Sequence, residues 1–503
     1  MGKGAGFKIS ASPVCNLLQR IILLQRESSL AIFIQIANQV THAIQQGLLV
    51  PGQKMPGTRA LADVLKVHRN TVTAAYEELY ALGWLQIRPN KGAFVIPELP
   101  LVNKHKEELP AYPAQTGFSF KTSIILDSFY EHSTCDYLFT EGTPDIRLTQ
   151  ITDLSRLYTS NMKRKSNRKK MSYYFQEGSR YFKQHLCNYL NATRGLKIAE
   201  ENILITRSIE MNLFIISEIL LQQEDYVVVS NPGYFAANMA FHKQTKNILT
   251  VPVDEEGLNV RELEALCKTY PIRLVYVIPQ NHYPTTVNLS AARRMSLLQL
   301  SQRYGFIIVE DDHDYDFHYE HQQVLPLATV DTSGMVIYIG SFGKSLVPGF
   351  RTGFIVAPQN LMKEMRKFLG IIDRQGDVLM EQALGEMIED GGIQRHIKKS
   401  IKAYKERRDK MTGLLHSHLA AWISFLPPSG GLAFWVVFKK KINLIRLREQ
   451  CAANNLFLPR NILYQDRHTT AMRLGFGHLE EQELEVCISI LKRSLEEMEE
   501  YGF

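Results

Sequence analysis

The chain has 503 residues, too many for one ordinary domain, and its 45% hydrophobic and 22% charged residues are typical of a globular protein with a sizeable core. Its net charge is +7, and residues 1–97 alone hold ten Lys or Arg against four Asp or Glu, which indicates a polyanionic partner for this part. No run approaches the roughly 18 apolar residues that cross a bilayer, which excludes a membrane-spanning protein.

Residues 14–96 have the pattern of a strand, three helices and a hairpin. Apolar side chains recur at helical spacing, glycines and a Pro-Gly pair mark the turns, and Thr58 is a candidate cap for the second helix. After the first strand, the predicted elements are helices at about 33–44, 59–65 and 69–82 and strands at 84–87 and 93–96. Two helices joined by a short turn and followed by a hairpin predict a winged helix-turn-helix.

The third predicted helix begins with polar and basic side chains. Those that can hydrogen-bond base edges and phosphates are His68, Arg69, Asn70, Thr71 and Thr73. The hairpin tip, 90–92, contains Lys91 and suits a wing that lies along a groove. The pattern therefore indicates DNA binding. The alternative is a small helical bundle whose basic turn is only solvated.

The rest of the chain has a different organisation. Residues 97–131 contain several prolines, a charged patch and weak periodicity, which predict a linker. From about 132 onward strands alternate with long helices, and this order predicts a mainly parallel α/β sheet covered on both faces. The strand candidates are 226–230, 274–278, 306–310, 336–340 and 354–357, and the helix candidates are 213–221, 261–267 and 291–304. The mainly helical tail, 395–503, has strands at 432–438 and 472–475 and predicts a smaller α+β subdomain.

Four residues at predicted strand ends indicate a cofactor site. Lys344 follows the strand 336–340, and a lysine at the mouth of a sheet can form a Schiff base with an aldehyde cofactor. The Ser341 hydroxyl and the Arg351 guanidinium can hold a phosphate. Asp311 follows the strand 306–310 and can pair with a pyridinium nitrogen. Each residue alone also fits a surface lysine or a strand-end cap, and it is their order and spacing together that favour a cofactor.

The N-terminal segment resembles the GntR family of transcription regulators. The resemblance covers about sixty residues, "QIANQVTHAIQQGLLVPGQKMPGTRALADVLKVHRNTVTAAYEELYALGWLQIRPNKGAFV". Carried over by position, it implies operator DNA contacts at Arg59, His68, Arg69, Asn70, Thr71, Thr73 and Lys91. It therefore implies double-stranded operator DNA as a partner.

Residues from about 132 to 500 resemble fold-type I aminotransferases, which use pyridoxal 5'-phosphate (PLP). The segments that carry the resemblance are "VVVSNPGYFA", "VPVDEEGL", "NHYPTTVNLSAARRMSLLQLSQRYGFIIVEDDHDYDF", "VIYIGSFGKSLVPGFRTGFIVAP" and "AMRLGFG". Joined to a GntR winged helix, this part makes the chain similar to the MocR subfamily of regulators. The implied organisation is a winged helix at 14–96, a linker at 97–131 and a PLP-binding, dimerising domain at 132–503.

The resemblance assigns a role to each matching residue, and it implies no metal ion. Lys344 would be the Schiff-base lysine and Asp311 the partner of the pyridine nitrogen. The phosphate would be held by Ser341, Arg351 and the backbone near Ser208 and Ile209, where a helix begins. The remaining implied contacts are Tyr234 near the cofactor ring, Tyr173 from the neighbouring subunit, and Arg473 on a substrate or effector carboxylate.

Several positions depart from the family pattern. His313 stands where relatives have a tyrosine that contacts the phenolic oxygen of the cofactor, and Ser208 stands where they have glycine. Phe175-Gln176 replaces a common Asp-Pro, and Ala236 replaces an arginine found in some amine-sensing members. These changes predict weak or absent transaminase turnover more than they argue against cofactor binding.

Three hypotheses follow for the whole chain. The first is a homodimeric regulator, with a head-to-tail swap of the winged helix, that senses PLP or an amine or amino-acid effector. The second is an active aminotransferase with an accessory DNA-binding domain, and the third is a DNA-binding protein with a cofactor-free scaffold. The intact winged helix argues against the second and the set of Lys344, Asp311 and Arg351 against the third.

The basic run 163–170 fits a solvated helix end better than a second DNA contact. Six cysteines without a C-x-x-C pair, and the lack of a signal peptide, predict a cytoplasmic protein with no membrane partner.

Overall fold

A computed structural model describes residues 12–26, 28, 30–97, 113–123, 126, 131–172, 178–319, 324–346, 348–374, 376–467 and 469–500. The chain divides into two compact units, residues 1–121 and 122–503. This division falls inside the predicted linker, 97–131, much of which lies outside the described residues. The predicted domain limits of 14–96 and 132–503 therefore stay predictions.

The small unit is a helical core closed by a hairpin. Its elements are α1 (Pro13–Ile21), α2 (Ile32–Gln45), α3 (Thr58–Leu65), α4 (Arg69–Ala81), β1 (Leu85–Arg88) and β2 (Gly92–Val95). Ile36, Val40, Leu61, Val72 and Leu79 are fully buried at the helical spacing that predicted these helices. The two strands pair antiparallel. The winged helix-turn-helix predicted from the pattern is therefore confirmed.

Two local predictions in this unit were wrong. The first predicted strand is the helix α1, because the Ser12 side chain accepts a hydrogen bond from the Cys15 N–H and Pro13 occupies the first turn, where its missing N–H costs nothing. Cys15 and Leu18 then share one buried face. Thr58 is not the cap of α3. Gly57 holds that position, and Thr58 lies inside the helix, where its Oγ1 accepts from Arg69 Nε at 3.4 Å.

The large unit alternates strands and helices along most of its length. Its described helices are α5 (Ile151–Lys163), α6 (Arg180–Arg194), α7 (Ile209–Leu220), α8 (Phe235–His242), α9 (Val260–Thr269), α10 (Ala291–Tyr304), α11 (Gln359–Ile372), α12 (Val378–Glu389), α13 (Gly392–Leu419), α14 (Leu444–Ala453) and α15 (Glu481–Glu500). Its described strands are β3 (Tyr137–Leu138), β4 (Ile203–Thr206), β5 (Tyr226–Asn231), β6 (Ile248–Asp254), β7 (Gly257–Leu258), β8 (Ile272–Val277), β9 (Ile307–Asp311), β10 (Val336–Ser341), β11 (Gly353–Val356), β12 (Ile423–Phe425), β13 (Ala433–Phe438), β14 (Leu456–Phe457), β15 (Leu463–Gln465) and β16 (Thr470–Gly475).

The main sheet is mostly parallel, as predicted. Its strand order is β4-β11-β10-β9-β8-β5-β6-β7, with β11 antiparallel to both neighbours and β7 antiparallel to β6. Its central strands are apolar and buried, as expected for strands covered on both faces. Because β4, β5, β8, β9 and β10 run in the same direction, their carboxyl ends meet at one edge of the sheet. Ligands of α/β sheets bind at such an edge.

The C-terminal part forms the predicted α+β subdomain. An antiparallel sheet of order β12-β13-β16-β15 packs with α13 and α15 around a separate apolar core. All six cysteines are free thiols. Within the described ranges, no helix combines the length and hydropathy that a membrane span requires.

Candidate functional site

A cavity of about 360 Å³ opens at the carboxyl edge of the main sheet. Asp311 ends β9, Ser341 ends β10, and Ser208 follows β4, so three of the predicted site residues line it together. Lys344, His313, Tyr234, Ile209 and Arg351 also line this cavity. The predicted cofactor residues that the structure describes therefore converge on one site.

Lys344 contacts two side chains of the loop that follows β9, His313 and Asp314. Its Nζ is 3.1 Å from His313 Nε2 and 3.3 Å from Asp314 Oδ1. Burial, and then the charge of Lys344, hold the pKa of His313 well below its ordinary value, so the imidazole is neutral and Nε2 can accept a hydrogen bond from the ammonium group. Burial alone would raise the pKa of Asp314, but the charges of Lys344 and Arg473 outweigh burial and the pKa is lowered. Asp314 is thus the charged partner of Lys344.

Asp311 is almost completely buried, and its two oxygens differ. Oδ2 accepts a hydrogen bond from the Tyr276 hydroxyl at 2.6 Å, while Oδ1 has no hydrogen-bond partner among the described residues. Burial raises the pKa of Asp311 to about 7. A buried carboxylate with one unpaired oxygen fits a protonated ring nitrogen, which would both pair with Oδ1 and stabilise the charged form.

A second part of the cavity, lined by Ser208, Ser341 and Arg351, suits a phosphate. Ser208 caps α7, its Oγ accepting from the Met211 N–H at 3.2 Å, so the helix start at Ile209 points its first N–H groups outward. Ser341 and Arg351 have no side-chain hydrogen bond or ion pair with any described residue. Arg351 has a φ of 39°, a strained conformation for a non-glycine residue. Gly353 lets this loop pack closely, because a Cβ there would lie 3.1 Å from Ser208 N.

A buried arginine, Arg194, fixes the loop after β9, which carries His313 and Asp314. Arg194, on α6, pairs with Asp312 at 3.1 Å and with Asp316 at 2.7 Å. The Ser345 hydroxyl donates a further bond to Asp316 at 2.5 Å. The loop is therefore held on both sides of His313, and also tied to the residue after Lys344. Removing one partner of such a buried pair typically costs about 3–5 kcal/mol, so Arg194 is a positioning residue.

Aromatic rings line the other side of Lys344. The Tyr234 ring lies 5.0 Å from the ring of Tyr283, and the Tyr283 ring lies 5.6 Å from that of His313. The Tyr234 hydroxyl donates to Glu210 at 3.2 Å. Beside Tyr283, Arg473 is only 1% exposed, and its guanidinium carbon lies 4.6 Å from the centre of that ring. Of this group, Tyr234, Glu210 and His313 line the cavity, whereas Tyr283 and Arg473 are fully buried next to them.

Some of the predicted residues remain untested, and some of the observed ones were not foreseen. Tyr173 and the pair at 175–176 lie outside the described residues. Tyr276, Asp314 and Tyr283 were missed. Tyr276 lies in the interior of a strand, and only the pairing of β8 with β9 brings it to Asp311. Asp314 could have been predicted from the sequence, because it stands three residues after Asp311 in an unusually acidic segment.

The predicted DNA contacts lie on one end of the helix-turn-helix and at the hairpin tip. Arg59, His68, Arg69 and Asn70 are exposed, and Thr71 and Thr73 are half-buried. His68 caps α4, its Nδ1 accepting from the Asn70 N–H at 3.2 Å. The Tyr76 hydroxyl donates to the Pro56 carbonyl at 2.9 Å and anchors the helix. The start of α4 is thus a capped helix end at which His68, Arg69 and Asn70 are exposed.

The wing adds basic groups that the sequence analysis missed. Lys91 is exposed at the tip, where Asn90 takes a φ of 58°. The Arg88 guanidinium carbon lies 4.8 Å from the centre of the Phe94 ring, and Lys54 Nζ lies 5.9 Å from it. Two cations therefore flank one aromatic ring next to Lys91. The basic, aromatic composition of the hairpin indicated Arg88, whereas Lys54 precedes α3 and reaches Phe94 only in the folded chain.

Two family comparisons match the two units. Residues 137–491 match the family described as aminotransferase class I and II. The chain belongs to this family. Residues 34–95 match the bacterial regulatory proteins of the gntR family, and such a domain binds DNA. The chain is therefore a GntR regulator fused to an aminotransferase-like domain, the MocR-type arrangement that the sequence predicted.

Individual relatives show the same two-part composition. The chain is 25% identical over 489 residues to the probable rhizopine catabolism regulatory protein MocR of Rhizobium meliloti, covering 96% of this chain and 97% of that protein. It is 27% identical over 413 residues to the regulator TauR of Rhodobacter capsulatus, covering 80% and 83%. This GntR regulator thus aligns with other regulators through both of its units.

Solved structures match the aminotransferase-like unit. The kynurenine aminotransferase of Pyrococcus horikoshii superimposes with a TM-score of 0.66 at 26% identity, over 72% of this chain and 92% of that chain. The multiple substrate aminotransferase of Thermococcus profundus gives a TM-score of 0.67 at 23% identity, over 74% and 93%. The large unit of this GntR regulator therefore has the predicted fold-type I architecture.

Proposed function

We propose that this GntR regulator binds PLP through Lys344 and uses it to sense an amine that changes its affinity for operator DNA. The observation that carries the proposal is Asp311. Its buried Oδ1 has no partner among the described residues, and it lies on the same sheet edge as Lys344 and the Ser341–Arg351 pair. Most buried carboxylate oxygens are hydrogen-bonded, so an unpaired oxygen at a ligand cavity favours a partner supplied by a ligand.

The residues fit the cofactor in chemical type. When bound, PLP supplies an aldehyde that bonds covalently to an amine and a ring that withdraws electrons. Lys344 Nζ would hold the aldehyde carbon, Asp311 the ring nitrogen, and Ser341, Arg351 and the start of α7 the phosphate. The neutral imidazole of His313 accepts the hydrogen bond of Lys344 and so orients Nζ, while Tyr234 and Tyr283 keep water from that side.

Sensing requires a coupling between the two units. A ligand changes DNA affinity only if it prefers one arrangement of the protein over another. Lys344 would hold the cofactor through Nζ, and a reacting amine would take its place. With Nζ free, Asp314 and His313 have Lys344 as their partner, so the charge around these two residues would differ between the two forms. This difference is the proposed origin of such a preference. A DNA-binding protein with six free thiols would work in the cytoplasm.

The proposal is tested in two measurements on the full chain. Purified protein mixed with PLP is expected to show a visible absorbance band, and borohydride reduction is expected to remove this band and leave the cofactor covalently attached to the protein. Titration of a duplex selected from a random library, with and without PLP and amines, is expected to give different affinities. A missing band would overturn the PLP site, and unchanged affinities would overturn sensing. Steady transamination at roughly 1 per second or faster would favour the aminotransferase alternative.

Asp311→Asn is expected to weaken PLP binding in a pH-dependent way. With its pKa near 7, Asp311 is mostly ionised at pH 8 and mostly protonated at pH 6, whereas Asn is uncharged at both. Because the ring nitrogen pairs with the ionised form, the advantage of wild type over the variant shrinks by about tenfold from pH 8 to pH 6. PLP titrations at three pH values check this. A ratio that does not change with pH would contradict the assigned partner.

We also expect a homodimer. If the chain follows fold-type I enzymes, Tyr173 of the partner subunit would reach the phosphate, and a dimer suits paired operator half-sites. Light scattering of PLP-loaded protein at micromolar concentration is expected to give twice the mass of one chain. A monomer under these conditions would contradict the shared site.

A further inference from the structure

The side of the cavity that faces Tyr283 carries an acidic group without a cationic partner. Glu141 lines this cavity, and its Oε2 accepts hydrogen bonds from the Tyr283 hydroxyl at 3.0 Å and from Asn461 Nδ2 at 3.4 Å. Among the described residues, no Lys, Arg or His forms an ion pair with Glu141. A half-buried carboxylate held only by neutral donors favours a cation beside it.

A second group on this side is also acidic. Asp314 lines the cavity and is 4% exposed, and neither of its oxygens has a hydrogen-bond partner of good geometry among the described residues. Its charge is balanced by Lys344 at 3.3 Å and by Arg473 Nη2 at 3.7 Å. When Lys344 Nζ is bonded to the cofactor, Asp314 depends on Arg473 alone.

Arg473 is already engaged by the protein. Its Nε donates to the Glu141 carbonyl at 2.7 Å and its Nη1 to the Pro284 carbonyl at 2.8 Å, and the remaining nitrogen faces Asp314. A ligand carboxylate at Arg473 would share one guanidinium with Asp314 and lie on the same side as Glu141. Two like charges in one buried site repel each other strongly. This geometry disfavours an amino acid there.

The other cations that line the cavity do not offset this acidity. Arg194 is paired with Asp312 and Asp316, and Arg207 is paired with Asp373 at 2.7 Å. Arg351 belongs to the phosphate part, next to Ser341. On the side near Tyr283, Glu141 is therefore the lining carboxylate that has no ion-pair partner among the described residues.

We infer that the effector is an amine with a second cationic group, a diamine or a related polyamine, whose far end pairs with Glu141. The inference rests on the proposed function, because the near amino group is the one that reacts at the cofactor. It is an alternative to the prediction that Arg473 receives a carboxylate. Here Arg473 and Asp314 form an internal pair, and Glu141 determines which ligand is accepted.

The test compares three ligand series that differ only at the far end. Diamines of three to six carbons are titrated into PLP-loaded protein beside monoamines and amino carboxylates of the same lengths. Binding is followed by the cofactor absorbance and, independently, by calorimetry. At the best chain length the diamine is expected to bind roughly tenfold tighter than its monoamine, as one charge-assisted hydrogen bond allows. The amino carboxylate is expected to bind more weakly than both.

Variants separate the role of Glu141 from a general charge effect. Glu141→Gln keeps an acceptor for Tyr283 and is expected to remove the preference for the diamine while leaving the monoamine affinity unchanged. Glu255→Gln, at an exposed loop position, removes the same charge and is expected to change nothing. An amino carboxylate that binds as tightly as the diamine at every length, or a preference that survives in Glu141→Gln, would overturn the inference alone. A missing PLP band would overturn the proposed function, and the inference with it.

Discussion

Replacing Lys344 with Ala is expected to abolish the response of DNA binding to PLP and amines while leaving DNA binding itself intact. The lysine is the group that can bond covalently to the cofactor, and its Nζ also balances the buried charge of Asp314. The predicted DNA contacts all belong to the small unit, residues 1–121, whereas Lys344 belongs to the unit 122–503. The expected loss is the whole coupling free energy, about 1–3 kcal/mol in typical linked systems.

The measurement is a DNA titration of wild type and variant, each with and without PLP and a reacting amine. Lys363→Ala removes the same charge at an exposed position of α11 and serves as the matched control. Circular dichroism and light scattering establish that the variant is folded and assembled as the wild type is. If Lys344→Ala responded to PLP and amine as fully as wild type, the sensing site would have to lie elsewhere in the chain.

Replacing Arg69 with Ala is expected to weaken specific DNA binding by about 1–3 kcal/mol, if its lost contact is to a base. Arg69 opens α4, is exposed, and makes only one long hydrogen bond, to Thr58 Oγ1 at 3.4 Å, so its guanidinium is available to a base edge. Arg59→Ala, at the start of α3, is expected to act in the same direction. Neither change removes a buried side chain, so the small unit is expected to fold normally.

Two further variants distinguish a base contact from a phosphate contact and from a general effect of charge. Lys91→Ala, at the wing tip, is expected to weaken binding to every sequence and to reduce the slope of affinity against salt by about one, because a phosphate contact releases counterions. Arg20→Ala removes a charge from the exposed side of α1 and is the matched control. Gel-shift titrations on selected and scrambled duplexes at two salt concentrations distinguish these effects. Unchanged affinity and specificity in Arg69→Ala would mean that α4 is not the recognition helix.

The sequence by itself determined the elements whose signal is local. The 3.6-residue period defined α2, and the polar start of α4 and the hairpin after it predicted the winged helix. Asp311 and Lys344, which follow two parallel strands, predicted the cofactor site together with Arg351, which precedes a strand. Residues that follow parallel strands meet at one edge whatever the strand order is. Short elements failed: α1 was predicted as a strand, since its helix depends on one serine cap and one proline that periodicity does not weigh.

Only the tertiary structure decided what surrounds these residues. Tyr276 reaches Asp311 because β8 lies beside β9, a pairing that no local pattern specifies. Arg473 meets the Glu141 carbonyl across 332 positions of sequence, and Asp314 reaches both Arg473 and Lys344. Which donors and acceptors are satisfied inside a site depends on such long-range packing. The sequence could therefore name the residues of the site, whereas the folded chain determined their charges, their partners and the kind of ligand they leave room for.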